Sequence, residues 1–269
     1  EEAFLVELVR PAWGPHAATV ARALSLFGDG YGHYPLVTEF QYWGPMHDGV
    51  VWPLHLFPRD TPLAPTWQIA WHTGERIGKP VAPSGDRIGE ALGQDYTLSE
   101  AIEECRAMSA LWDQGVALLR TVETDPALSP ERRSDIGVAR ALGIQFRCGL
   151  NILRFYDLRE RLVGEVPARQ RTTLEEMRRI VEEELVNGKE LLELCERDAR
   201  LGFHSEAEGY KYFPDKIRWR MDQLRDLIDQ QFPALERALV AKQDVFAAYA
   251  GRAPGGATVR SPYRGTIEE

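Results

Sequence analysis

Thr97-Leu98-Ser99-Glu100-Ala101-Ile102-Glu103-Glu104-Cys105-Arg106-Ala107-Met108-Ser109-Ala110-Leu111-Trp112 reads as the start of a long amphipathic helix. Thr97 and Glu100 have the spacing of a capping box, in which each side chain satisfies the other residue's backbone N–H. Ile102, Cys105, Met108, Leu111, Trp112, Leu118 and Leu119 then recur at intervals of three and four, the period that lines one face of a helix. The same texture continues toward the carboxy terminus. Ser129-Pro130 is an N-cap and first-turn pair, and Ile136, Ala139, Leu142, Phe146, Leu150 and Leu153 follow on one face. Thr173-Leu174-Glu175-Glu176 reads as another capping box and helix start, followed by Leu174, Met177, Val181, Leu185, Leu192 and Cys195. Gly202 reads as the cap that ends this helix. Pro214-Asp215 opens a run with Ile217, Met221, Leu224 and Ile228, which Pro233 must kink or end before a last helix from about Ala234 to Tyr249. Helices with apolar stripes and short connections must bury those stripes against one another. The fold class is therefore mainly α, an antiparallel helical bundle.

Upstream of Thr97 the texture changes. One helix is expected from about Pro15 to Leu26, with Val20, Ala23, Leu24 and Phe27 inward. Tyr31 to Tyr96 is rich in glycine, proline and aromatic residues, and it reads as a long loop region with little or no β structure. Its one strand candidate is Val37 to Trp43, stopped by Gly44-Pro45. A loop of this length is usually functional. The expected organisation is residues 1–96 as an N-terminal helix plus aromatic loop region, 97–250 as the helical bundle, and 251–269 as a tail. Because the chain opens Glu1-Glu2-Ala3 without methionine, we expect a piece of a longer protein, and no compartment is assigned.

Composition narrows the function. The chain has 269 residues, 44% hydrophobic and 27% charged, which suits a globular protein, and a net charge of −9 opposes binding to nucleic acid phosphates. Its apolar runs are shorter than the roughly 20 residues of a membrane span. Cys105, Cys148 and Cys195 are too scattered for a disulfide scaffold or zinc site and fall where small core residues are expected. Gly28-Asp29-Gly30-Tyr31-Gly32 lacks the lysine of a phosphate loop. No Cys-x-x-Cys, His-Glu-x-x-His, Glu-x-x-His or Gly-x-Ser-x-Gly is present, so neither metal nor cofactor is expected.

Two constellations carry candidate chemistry. In Gln41 to His55, the aromatic residues Tyr42, Trp43 and Trp52 stand beside His47 and His55, a set suited to stacking on a sugar ring and bonding its hydroxyls. An equally open reading is a rigid aromatic loop that packs over the bundle. In Glu196 to Tyr212, His204 and Glu206 at i and i+2 share one side of an extended segment, with Tyr210 nearby. They suit hydrogen bonding to a polar ligand in a pocket shared with the aromatic loop, and acid–base chemistry in a complete small enzyme is a weaker reading. Ordinary ion pairing among Arg197, Asp198 and Arg200 is the competing structural account.

Tyr42-Trp43-Gly44-Pro45 running into Trp52-Pro53-Leu54, Trp112-Asp113-Gln114-Gly115, and Arg197-Asp198-Ala199-Arg200-Leu201-Gly202-Phe203-His204-Ser205-Glu206 together resemble the carboxy-terminal helical region of large carbohydrate-active proteins. In these an alpha-glucuronidase-like or hexosaminidase-like (β/α)₈ barrel is followed by a helical domain packed on its open face. This chain departs from them in having no alternating strand–helix pattern, so the barrel is absent. The family's catalytic carboxylates lie on barrel strands and map to no residue here. The resemblance implies a supporting, substrate-facing role for Tyr42, Trp43, His47, Trp52, His55, His204, Glu206 and Tyr210. The implied partners are a carbohydrate ligand and a catalytic barrel domain or partner chain. The alternative from a different class is a noncatalytic helical interaction or scaffold module.

Overall fold

The computed structural model describes residues 2–36, 46, 49–52, 54–56, 96–164, 166–204 and 209–243. They are mainly helical: α1 (Glu2–Trp13), α2 (Ala17–Tyr31), α3 (Leu98–Glu123), α4 (Pro130–Gly164), α5 (Pro167–Arg197), α6 (Pro214–Asp226) and α7 (Phe232–Val240). A two-stranded antiparallel hairpin, β1 (Phe203–His204) and β2 (Gly209–Tyr210), lies between α5 and α6.

Cross-links between neighbouring helices fix their directions. His16 and His33 at the two ends of α2 meet Asp125 beyond the end of α3 and Glu104 near its start, at 2.7 and 2.8 Å. Along α4, Arg140, Arg147 and Asn151 bond in turn to Glu190, Asn187 and Glu184 of α5, so the partner number falls as the α4 number rises. Both pairs are therefore antiparallel. The 35 residues of α4 give it a length of about 50 Å, enough to contact both α3 and α5 over many turns.

Thr97 caps α3 as its sequence requires: Glu100 N donates to Thr97 Oγ1 at 3.2 Å and Thr97 N donates to Glu100 Oε2 at 2.8 Å. The carboxy end of α3 is closed by Arg133, which donates to the carbonyls of Glu123 and Asp125. Trp112 lies at the α2–α3–α4 junction, stacked on Phe27 at 4.3 Å and edge-on to Phe146 at 4.8 Å. Its indole N–H donates to Ala139 O at 2.8 Å, so the ring's one polar atom is satisfied inside the core. All three cysteines are buried on helices. Burial pushes the thiols of Cys105 and Cys195 up to about 12 and that of Cys148 well above its ordinary value, so all three are inert core residues.

Several expectations are corrected. The helix expected from about Pro15 is α2, but a further helix, α1, precedes it across the Gly14–His16 turn, and Leu24 is exposed while Val20, Ala23 and Phe27 are buried. Leu142 is likewise exposed on α4. The start of α5 is Pro167, six residues before Thr173, which is buried inside the helix; Pro167 supplies the first-turn φ and needs no N–H there. The helix ends at Arg197, and Gly202 belongs to the turn beyond it. The apolar residues of the α5 and α6 runs divide between two cores. Met177, Val181 and Leu224 belong to the main core, Ile217 and Met221 to a second core, and Leu185 lies partly buried against both.

Pro233 does not end its run. Leu227–Gln231 widens into a π-turn, where Phe232 N–H bonds to Leu227 O. The next carbonyl in that pattern, Ile228 O, faces a proline without an N–H, and Arg178 Nη1 donates to it instead at 3.3 Å. The last helix runs only to Val240. The strand candidate at Val37–Trp43, the tail at 251–269 and residues 244–249 of the expected last helix lie outside the described residues.

Candidate functional site

The segment Met46–Leu56 is the first place where the sequence-derived site can be located. Its described residues form a strap whose side chains are in the interior. Met46, Val50, Val51, Trp52, Leu54 and Leu56 are all buried, and Gly49–Val51 forms a single 3₁₀ turn. It crosses α4 at a glycine. A Cβ on Gly149 would stand 2.7 Å from Met46 Cε, so the glycine lets the methionine side chain lie directly against the α4 backbone. Trp52 and His55, expected to face a ligand, are 2% and 6% exposed. Both are corrected to interior positions, because the strap passes between helices instead of looping over them. Tyr42, Trp43 and His47 lie outside the described residues.

A strap without a ladder needs other partners for its backbone groups. Helix side chains supply them. Gln145 donates to Met46 O at 2.6 Å, Arg220 Nε to Trp52 O at 2.9 Å, and Arg159 Nη1 to His55 O at 3.0 Å. The Leu54 N–H donates to Gln223 Oε1 at 3.1 Å, and Gln223 Nε2 donates back to Leu54 O at 2.6 Å. Sequence reading missed all four anchors. Arginine and glutamine on amphipathic helices look like ordinary solvated residues, yet Arg159 and Arg220 are 0% and 1% exposed. Their positions within apolar runs were the available signal.

Arg220 belongs to a polar network through the interior. Its Nη2 lies 2.8 Å from Glu184 Oε2, an ion pair whose angle falls short of a hydrogen bond. Glu184 Oε1 accepts from Asn151 and Asn187 at 2.8 and 2.9 Å. Asn187 Oδ1 accepts from Arg147, which also pairs with Asp113 at the surface of α3. Burial raises the Asp113 carboxyl and outweighs the lowering effect of Arg147. Asp198 is lowered by the hydrogen bonds from Arg200, and Asp125 by that from His16. The signs are opposite. As pH falls, Asp113 binds a proton in the folded state before the unfolded state does, adding stability. Asp198 and Asp125 hold stability above their unfolded values and lose it as pH falls through their folded ones. Carboxyl chemical-shift titrations are expected to place the Asp113 midpoint above the ordinary aspartate value and the other two below it.

The second place is the hairpin after α5. Gly202 has φ of +82°, a left-handed conformation, and a Cβ there would collide with the carbonyl oxygen of Tyr212. Lys211 N donates to Gly202 O at 2.8 Å, and the β1–β2 register pairs Phe203 with Tyr210. Their rings meet edge-on at 5.5 Å, and the residues remain 53% and 49% exposed. Tyr210 donates its hydroxyl to Ala199 O at 2.8 Å, which fixes its ring. Arg200 closes on Asp198 through two nitrogens, at 2.6 and 2.9 Å, so the expected local ion pairing is present. Of the expected ligand-facing residues here, Tyr210 is exposed, His204 is described only as backbone on β1, and Glu206 lies outside the described residues. Phe203 was not singled out from sequence; its place directly after Gly202 was the signal.

The described residues contain no group of three His, Cys, Asp or Glu side chains placed to hold a metal ion, and no helix among them is long and apolar enough to cross a membrane. These residues define a mainly helical protein with an interior strap. Comparison of the chain with protein-family models, curated proteins and solved structures finds no match.

Proposed function

We propose that this chain is the helical portion of a glycoside hydrolase-like protein and that it lines a carbohydrate site with aromatic and polar side chains. The observation that carries this reading is the Phe203–Tyr210 pair. Two exposed rings are held at a fixed angle by a left-handed glycine turn, a cross-strand register and a tyrosine hydroxyl bond. Fixed aromatic faces suit the C–H face of a pyranose, because they offer apolar area at little cost in side-chain entropy. Tyr42, Trp43, His47, His204 and Glu206 complete the proposed set, and a catalytic barrel domain or partner chain supplies the acid and nucleophile.

Binding of the whole chain to a panel of immobilised oligosaccharides tests it. Phe203→Ala and Tyr210→Ala should each weaken binding about tenfold, the upper scale of a single aromatic contact. Their melting temperatures should stay within a few degrees of the parent, as for other exposed substitutions. A parent chain that binds no glycan, or variants that bind like the parent, would sink the reading. The alternative, a noncatalytic interaction module, is favoured by a different observation: Phe4 and Leu8, one turn apart on α1, are 68% and 61% exposed. Binding that survives Phe203→Ala and Tyr210→Ala but is lost in Phe4→Ser with Leu8→Ser would support that module.

A further inference from the structure

Gln223 holds the strap differently from the other anchors. Gln145, Arg159 and Arg220 each donate to strap carbonyls among the described residues, and a carbonyl is offered by every residue of a chain. Gln223 reads the N–H and the C=O of one residue, Leu54, with the two ends of its carboxamide. A slip of the strap by one residue would carry the side chain of Leu54, 0% exposed, out of its place in the core and break both bonds together. Packing alone does not demand a glutamine here, since an apolar side chain of similar volume would fill the same space between α6 and the strap. An apolar side chain would take both hydrogen-bond partners from the N–H and C=O of the buried Leu54. We propose that Gln223 is a positioning residue that sets the register of the Met46–Leu56 strap. Trp43 is separated from Met46 by only Gly44 and Pro45 in the chain, so that register also bears on the aromatic segment. This last consequence rests on the carbohydrate reading above; the register claim does not.

The test uses the full chain and hydrogen exchange at the Leu54 amide, expressed as a protection factor against the unfolded rate. Gln223→Met keeps the volume and removes both bonds. It should lower protection at Leu54 by about tenfold or more at pH 7, with core amides of α3 unchanged. Gln223→Glu separates a positioning role from a merely structural one. An ionised carboxylate accepts from Leu54 N–H but repels Leu54 O, whereas a protonated carboxyl restores a donor and an acceptor in the arrangement of the amide. Protection at Leu54 relative to the parent chain should therefore be low at pH 7 and recover at about pH 4, near the ordinary carboxyl range. Loss of protection at Leu54 matched by equal loss throughout α3, or no recovery of Gln223→Glu at low pH, would overturn the proposal. The same variants assayed on immobilised oligosaccharides separate the two claims. If the parent chain binds no glycan, the proposed function falls while the exchange pattern still decides the register. If the parent binds, Gln223→Met should weaken binding about tenfold, and unchanged binding would remove the link from strap to site.

Discussion

Replacing Arg220 by methionine is expected to lower the unfolding free energy by about 3–5 kcal/mol, the scale of a buried ion pair broken from one side. The side chains of Arg220 and Glu184 are 2% and 0% exposed, so water cannot take over from a missing partner. Without Arg220, the Glu184 carboxylate keeps the amide donors of Asn151 and Asn187 but loses its counter-charge, and Trp52 O loses its donor. Glu184→Met should be similarly costly. It leaves a buried guanidinium with Trp52 O as its one hydrogen-bond partner among the described residues and strips the two asparagine amides of their acceptor. The double variant removes both charges together and should cost less than the sum of the two singles. A coupling energy of about 1–3 kcal/mol is expected from chemical denaturation of the four proteins. The double variant should still fall below the parent, because Trp52 O loses the Arg220 donor and the amide N–H groups of Asn151 and Asn187 lose the Glu184 acceptor. Additive single effects would mean that the pair does not act as a unit, and near-neutral singles would mean that the network is dispensable.

The helical half of this molecule was legible because its signals are local. The Thr97–Glu100 box, Ser129-Pro130 and Pro214 each act within one turn, and each lies at or beside an observed helix start. The cysteines lay on apolar faces and are buried there. Errors arose where a local rule met a longer-range demand. Thr173 has the spacing of a cap, but Pro167 starts the helix earlier, and the threonine is then enclosed. Leu24 and Leu142 fit the period of a buried stripe yet are exposed, while Phe27, Trp112 and Phe146 meet ring to ring in the core between the same helices. Pro233 is tolerated because Arg178, 55 positions earlier in the chain, replaces its missing N–H, a compensation no window of sequence displays. The candidate site divides in the same way. Tyr210 is where an exposed residue was expected, because a hairpin following a glycine turn is a local construction. Trp52 and His55 are not, because their placement depends on arginines from α4 and α6.

Trp52→Ala is accordingly expected to act on stability. Had the indole faced a ligand, its removal would leave the melting temperature nearly unchanged and reduce binding. At 2% exposure it is part of the main core with Met46, Leu54 and Leu56, and its removal leaves a cavity where a bicyclic ring stood. Deleting a buried aromatic side chain costs about 3–5 kcal/mol, the lost transfer energy plus the contacts that surrounding atoms cannot regain. For a chain of this size that corresponds to a melting temperature lower by about 6–20 °C. The backbone anchors limit how far the site can relax. Arg220 holds Trp52 O at 2.9 Å and Gln223 holds Leu54 two residues later, so the strap cannot collapse into the void without releasing them. That places Trp52→Ala toward the upper end of the range and Trp52→Phe, which keeps most of the ring volume, well below it. Differential scanning calorimetry of both variants decides the matter. A small change for Trp52→Ala, with reduced glycan binding, would return this indole to the ligand-facing role its sequence neighbourhood suggested; a large loss of stability assigns it to the clamp that holds the strap inside the bundle.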